Sequence, residues 1–289
     1  MSTEPVQASS VESLHLQDRG EARRLRCTAE GAAQSVRDQL RSAFRTPMSI
    51  GHKRDLRDVV TEHDKRAETT ISGYIFQNVP DSTLLGEEGG STGRGRVSWF
   101  VDPIDGTSNF VDGIAFWCVS VAAAIDGEVV AGAIFDPMAD DLFSADLEGA
   151  WLNGEQLRSH GAPEEGEATL ITGYPNARQL KAHGAAALED FGELVRAFRA
   201  VRRPGSAALT LAHVAAGWVD AAAGFSVNPW DICAADLIVR RAGGTYIPLA
   251  VGQEEKPEAR HLHKGYVAIA GGRSYPTLVS VAHDIAARG

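Results

Sequence analysis

Two apolar runs, CVSVAAAI (Cys118–Ile125) and EVVAGAIF (Glu128–Phe135), flank the dipeptide Asp126-Gly127. That pattern constrains the fold more than any other stretch of the chain. Asp and Gly both tolerate the positive φ that a two-residue turn requires, so the runs read as a β-hairpin. VSWFV (Val97–Val101) upstream, and DLFSA and GAWLN downstream, extend it into a largely antiparallel sheet. Apolar residues Leu25, Ala29, Ala33, Val36, Leu40 and Phe44 recur every three or four positions, which predicts an amphipathic helix over Glu21–Phe44. A second helix is expected over Asp64–Asn78, using Ala67, Ile71, Tyr74 and Ile75 and closed by Pro80. STLLGEEGG is a short strand running into a glycine-flanked acidic turn.

The polar segment His160–Ala168, with its Pro and Gly, is the best candidate boundary. Beyond it strands and helices alternate: ATLITG, the helical AALEDFGELVRAFRA, a helix over Ser206–Gly217, WVDAAAG, a helix over Asp231–Ala242, TYIPL, GYVAIAG and a last helix from Pro276. Such alternation favours layered α/β packing. The expected organisation is a mobile polar tail over residues 1–18, an α+β half over 19–160 and an α/β half over 161–289. GGSTGRGR (Gly89–Arg96) fits neither a P-loop nor a dinucleotide fingerprint and reads as a flexible loop.

Lys and Arg number 28 against 38 Asp and Glu, a formal net charge of −10, which argues against nucleic-acid binding as the main activity. Cys27, Cys118 and Cys233 form no CxxC pair and suit reduced thiols, with Cys118 and Cys233 as small core residues. No window approaches a membrane span and the first twenty residues lack a signal-peptide apolar core, so a cytoplasmic protein with no membrane partner is expected.

The candidate chemistry lies in WFVDPIDGTSNF (Trp99–Phe110), where Asp102 and Asp105 follow an apolar run. Alone, the motif is a turn whose carboxylate caps a helix. But Glu87 and Glu88 also sit just past a strand end, and Asp231 follows Asn228-Pro229-Trp230 at a helix start, with no Lys or Arg near them in sequence. Carboxylates gathered without basic partners suit a hard divalent cation such as Mg²⁺, and a pair of such ions suits phosphoryl transfer. Asp102 could bridge two ions, with Glu87, Asp105 and the Ile104 carbonyl adding ligands. Gly106 permits close approach of a ligand, and Thr107 and Ser108 suit a helix start whose amides hold phosphate.

GEEGG, WFVDPIDGTSNF, RRPGSAAL and NPWDICAADLIVRRAGG, with VVTEHDKRAE upstream, resemble in that order the inositol monophosphatase family of magnesium-dependent phosphatases. The resemblance runs from about residue 20 to the end. It implies an αβαβα layered sandwich in which metal-activated water attacks a small phosphomonoester, by default inositol 1-phosphate, with two or three Mg²⁺ ions and a homodimeric assembly. Carried over by motif, Glu87, Asp102, Ile104 (carbonyl), Asp105 and Asp231 become metal ligands. Asp64 and Thr107, with Glu87, serve catalysis by orienting or deprotonating the water. Asp105, Gly106, Thr107, Gly205, Ser206, Ala207, Gly224 and Asp231 face the substrate.

Position 224 departs from the pattern. Many inositol phosphatases carry an acidic contact to substrate hydroxyls seven residues before the PWD aspartate, and here that residue is Gly224, with Ser226 and Asn228 as candidate replacements. Histidinol phosphate is therefore the principal rival substrate, ahead of sugar phosphates and 3′-phosphoadenosine compounds. A regulatory or binding protein on the same fold is the alternative of a different class. DPIDGT also resembles the DxDGT of aspartyl-phosphate phosphatases, but the extra residue between the aspartates, GEE and PWD argue against that chemistry. His63, His261, His263 and Lys53 read as surface or packing residues.

Overall fold

The computed structural model describes residues 8–52, 59–252 and 260–289. Helix α1 (Ala8–Gln34) begins within the segment expected as a tail, and α2 (Arg37–Ala43) follows after a turn. The single helix expected over Glu21–Phe44 is thus two. At the break the Ser35 hydroxyl donates back to the Ala32 carbonyl at 2.6 Å, a local bond that competes with the helical ladder. Strands β1 (Ile50–His52) and β2 (Val59–Thr61) pair antiparallel ahead of α3 (Glu62–Asn78).

The first sheet holds β3 (Ser82–Gly86), β4 (Gly90–Gly93), β5 (Val97–Asp105), β6 (Cys118–Ile125), β7 (Glu128–Asp136), β8 (Asp141–Ala145), β9 (Ala150–Leu152) and β10 (Glu155–Gln156). Its spatial order is β10-β9-β8-β7-β6-β5-β3-β4, antiparallel except where β3 lies parallel to β5. The hairpin is as expected, with Asp126 and Gly127 both at positive φ between β6 and β7. The flexible loop expected over Gly89–Arg96 is corrected in part: Gly90–Gly93 pairs with β3 as the edge strand β4. Short helix α4 (Thr107–Asp112) follows β5.

The second sheet comes from beyond His160. Its elements are β11 (Thr169–Thr172), α5 (Ala177–His183), α6 (Ala185–Ala197), β12 (Ala200–Arg202), α7 (Ala207–Ala215), β13 (Ala221–Phe225), α8 (Pro229–Arg241), β14 (Thr245–Leu249), β15 (Gly265–Ile269) and α9 (Pro276–Arg288). The order β12-β11-β13-β15-β14 is parallel through β13 and antiparallel beyond it.

Three apolar clusters explain the layering. The first fills the space between α1–α3 and one face of the large sheet, around Trp99, Trp117, Ile71 and Leu40. The second joins the other face of that sheet to α7, α8 and the small sheet, around Phe143, Leu211, Ile238 and Tyr266. The third lies between the small sheet and α6 and α9. The result is the expected αβαβα sandwich. α8 packs so closely on β7 that a Cβ at Gly132 would lie 2.8 Å from the Ala234 Cα. Among the described residues no helix is long and apolar enough to cross a membrane.

Candidate active site

A regular strand sends residues three apart to opposite faces. β5 avoids this with a bulge: Asp102 pairs with Ser120 and Asp105 with Cys118, so four residues on β5 face three on β6. The extra residue lets both carboxylates reach one site at the sheet's end. An Asp102 carboxylate oxygen accepts from the Ile104 amide at 3.0 Å, which holds the turn in shape.

Asp231 arrives from the opposite direction, at the third position of α8. It closes a capping box in which the Asn228 amide donates to its carboxylate at 2.7 Å, and Pro229 starts the helix. Ser120 ties this helix start to β6 by donating to the Trp230 carbonyl at 3.0 Å. One oxygen from each of Asp102, Asp105 and Asp231 lies within 4.8 Å of the others.

The electrostatics are unfavourable for bare charge. Burial first, then repulsion from Glu87, Asp105 and Asp231, holds the Asp102 carboxyl well above the ordinary range. Asp231 keeps some solvent exposure as a residue, yet the enclosure of its carboxyl and the charge of Asp105 push it well up too. Asp105 is raised less. Burial dominates there also, but the Ser206 hydroxyl and the Ala208 amide each donate to its carboxylate at 2.6 Å and offset part of the cost. No Lys, Arg or His among the described residues pairs with these three aspartates. Hard oxygen donors, drawn together and lacking a cationic partner, fit a divalent metal ion.

Glu87 follows β3, with its amide donating to the Val101 carbonyl at 3.1 Å and its carboxylate near enough to help raise the Asp102 pKa. The turn that carries it rests on a residue that the sequence reading passed over. Glu68 of α3 is buried, and its carboxylate accepts from the Glu88 amide at 2.9 Å and the Gly89 amide at 2.6 Å. A Cβ on Gly86 would lie 2.3 Å from that carboxylate, so the glycines of GEEGG make room for Glu68.

Asp64, fully buried at the third position of α3, accepts from the Thr61 amide at 2.8 Å and the Thr61 hydroxyl at 2.7 Å. The Thr107 hydroxyl stands 3.1 Å from the other Asp64 oxygen and 3.0 Å from the Ile104 carbonyl, able to donate to either. The structure therefore brings Asp64, Thr107 and Ile104 together. Burial raises the Asp64 pKa against the opposing effect of the Thr61 and Thr107 hydrogen bonds.

Gly106 precedes α4 at φ 98°, where a side chain would be strained and would press on the Phe116 carbonyl and Ser206. A small cavity opens here, lined by Glu87, Gly106, Thr107, Ser108, Asn109, Gly205 and Ser206. Beside it, a second cavity of about 210 Å³ is lined by Gly205, Ser206, Ala207, Gly224, Ser226 and Tyr266, among others. Gly205, Ser206 and Ala207 thus border the expected substrate side, but Ser206 also spends its hydroxyl on Asp105. Asn109, likewise unanticipated, donates to the Phe116 and Pro204 carbonyls, each at 2.7 Å, and anchors the loop that presents Ser206. Asn228 is committed to capping α8, which leaves Ser226 as the candidate replacement that lines the cavity. His63 packs against Phe110, and Lys53 lies outside the described residues.

The model of the inositol monophosphatase family matches residues 21–286. The chain is 36% identical over 217 residues to the Nus factor SuhB of Escherichia coli (strain K12), covering 74% of this chain and 80% of that one. Among solved structures, an IMPase from Thermotoga maritima superposes with a TM-score of 0.76 at 30% identity, covering 89% of this chain and 96% of its own. The extragenic suppressor protein suhB from Bartonella henselae gives the same TM-score and coverage at 29% identity.

Proposed function

Because the chain belongs to the inositol monophosphatase family, we propose that it is a Mg²⁺-dependent phosphomonoesterase, acting by default on inositol 1-phosphate. The reading is carried by one observation: Asp102, Asp105 and Asp231 converge without a cationic partner among the described residues, next to the hydrogen-bonded Asp64 and Thr107. With Glu87 and the Ile104 carbonyl, these aspartates would hold the two or three ions that the family resemblance implies. When bound, such ions polarise phosphoryl oxygens and make water a nucleophile at neutral pH.

The chain's own residues supply the rest. When the Thr107 hydroxyl donates to Asp64, its lone pairs remain free to accept from a water and aim it. Asp64, with a raised pKa, is a better proton acceptor than an exposed aspartate. Gly106 and Thr107 open α4, whose first amides lack intrahelical partners and suit a phosphate. The alcohol then extends past Gly205, Ser206 and Ala207 into the neighbouring cavity toward Gly224.

Phosphate release from inositol 1-phosphate, histidinol phosphate and an aryl phosphate, with and without Mg²⁺, tests the reading. Metal-dependent turnover supports it, and a preference between the first two esters settles the substrate branch. Absence of turnover on all three would contradict it. That result would favour the second reading, a regulatory or binding role on the same fold, for which the name Nus factor of the Escherichia coli relative speaks. A cytoplasmic homodimer is the assembly we propose, which light scattering tests.

A further inference from the structure

The cavity beside the aspartates has two unusual properties. None of the residues that line it carries a charge, although Ser206 on its wall donates to Asp105. And it holds a polar group that the catalytic account leaves unused. Tyr266 on β15 lies directly opposite Gly224 on β13 in the antiparallel register, so both face the central helical layer. Tyr266 is 3% exposed and lines the cavity, with its ring stacked on Tyr246 at 5.7 Å between centroids. Its hydroxyl makes no hydrogen bond with any described residue.

Gly224 is what admits the ring. A Cβ built there would lie 2.5 Å from Tyr266 Cε1, 2.9 Å from Cζ and 3.1 Å from the hydroxyl. The phenol therefore fills the space into which a side chain at 224 would project. Burial and the nearby charges of Asp105 and Asp231 keep the phenol protonated. It offers one neutral donor where a carboxylate would offer two charged acceptor oxygens.

Resting on the phosphatase reading above, we propose that Tyr266 determines the specificity of the leaving-group cavity. Its hydroxyl donates to a hydroxyl of an uncharged alcohol, and the cavity selects neutral polyol phosphates over esters whose alcohol carries an ammonium group. An ammonium entering this cavity would give up water without meeting a carboxylate on its walls, whereas a polyol exchanges hydrogen bonds with Tyr266 and its neighbours.

The test compares kcat/KM for inositol 1-phosphate, histidinol phosphate and 4-nitrophenyl phosphate in the wild type and in Tyr266→Phe, which keeps the ring and its packing. Loss of one neutral hydrogen bond predicts a fall of about tenfold for inositol 1-phosphate, carried by KM, with the aryl ester changed by less than about twofold. The wild type is expected to prefer inositol 1-phosphate to histidinol phosphate. An equal effect on the polyol and aryl esters, no effect on either, or a wild-type preference for histidinol phosphate would overturn the proposal. Loss of all activity in the wild type would instead refute the phosphatase reading. Binding separates the two failures. With turnover silenced by Asp64→Asn, calorimetric titration with inositol 1-phosphate and Mg²⁺ should still show affinity about tenfold weaker when Tyr266→Phe is added. Unchanged affinity would overturn the proposal whatever the kinetics.

Discussion

Asp102 and Asp105 are charged residues placed where charge is costly, and that cost gives the residue-scale account its clearest consequence. Asp105→Asn removes one charge from a repelling cluster but keeps an oxygen to accept from Ser206 and Ala208. Its kcat should fall by more than about 100-fold, while the metal-free variant melts no lower than wild type in EDTA. An active variant, or an inactive one that has simply unfolded, would refute the assignment of Asp105. Thr107→Ala should lower kcat by about 100-fold with little change in KM, since it acts on orientation of the water. A rise in KM alone would make Thr107 a binding residue only. At this scale the carboxylates were legible because acidic residues at element ends beside glycines are conspicuous in a sequence. Ser206 as a partner of Asp105, and Asn109 as a clamp on the Pro204 carbonyl, were not legible. Their partners lie 101 and 95 positions away, and neither residue type signals a long-range contact.

Among the elements, the turn after β3 is tied to α3 through the Glu68 carboxylate. Glu68 accepts from two backbone amides of the turn that follows Glu87, and among the described residues no charged partner competes for it. Glu68→Ala should destabilise the fold by about 2–3 kcal/mol in urea unfolding, because two amides lose a charged acceptor. It should also weaken Mg²⁺ binding, read by calorimetry, by about 10–100-fold, because Glu87 loses its support. Stability loss with unchanged Mg²⁺ affinity would limit Glu68 to a packing role. The long periodic helices and the Asp-Gly hairpin could be read from sequence, since each repeats its signal over several turns or residues. β1, β4 and α5 could not: each spans only three to seven residues, too short to display a period. Nor could the bulge in β5, which is defined only by its pairing with β6.

For the whole molecule, the order of layers was implied by the family resemblance and not by periodicity, because which helices cover which sheet face is decided by contacts between distant segments. The site sits where β5, α3, α7 and α8 meet, and its uncompensated carboxylates make metal-free stability sensitive to pH. Asp64, Asp102, Asp105 and Asp231 all have folded pKa values raised above the ordinary carboxylate range. The native state thus binds more protons than the unfolded chain between that range and the raised values. Stability is largest on the acid side of that window and is lost as pH rises through it. In EDTA the melting temperature should fall as pH rises from the ordinary carboxylate range toward neutrality. Saturating Mg²⁺ should raise it again at neutral pH. A metal-free melting temperature that rises over the same interval would show that the carboxylates are compensated by other groups. The most direct measurement is Mg²⁺-dependent phosphate release from inositol 1-phosphate by the wild type and by Asp102→Asn, run side by side. Saturable activation by Mg²⁺ is expected in the wild type, and its loss in the variant. Equal release by both proteins, or release that EDTA does not abolish, would contradict that expectation.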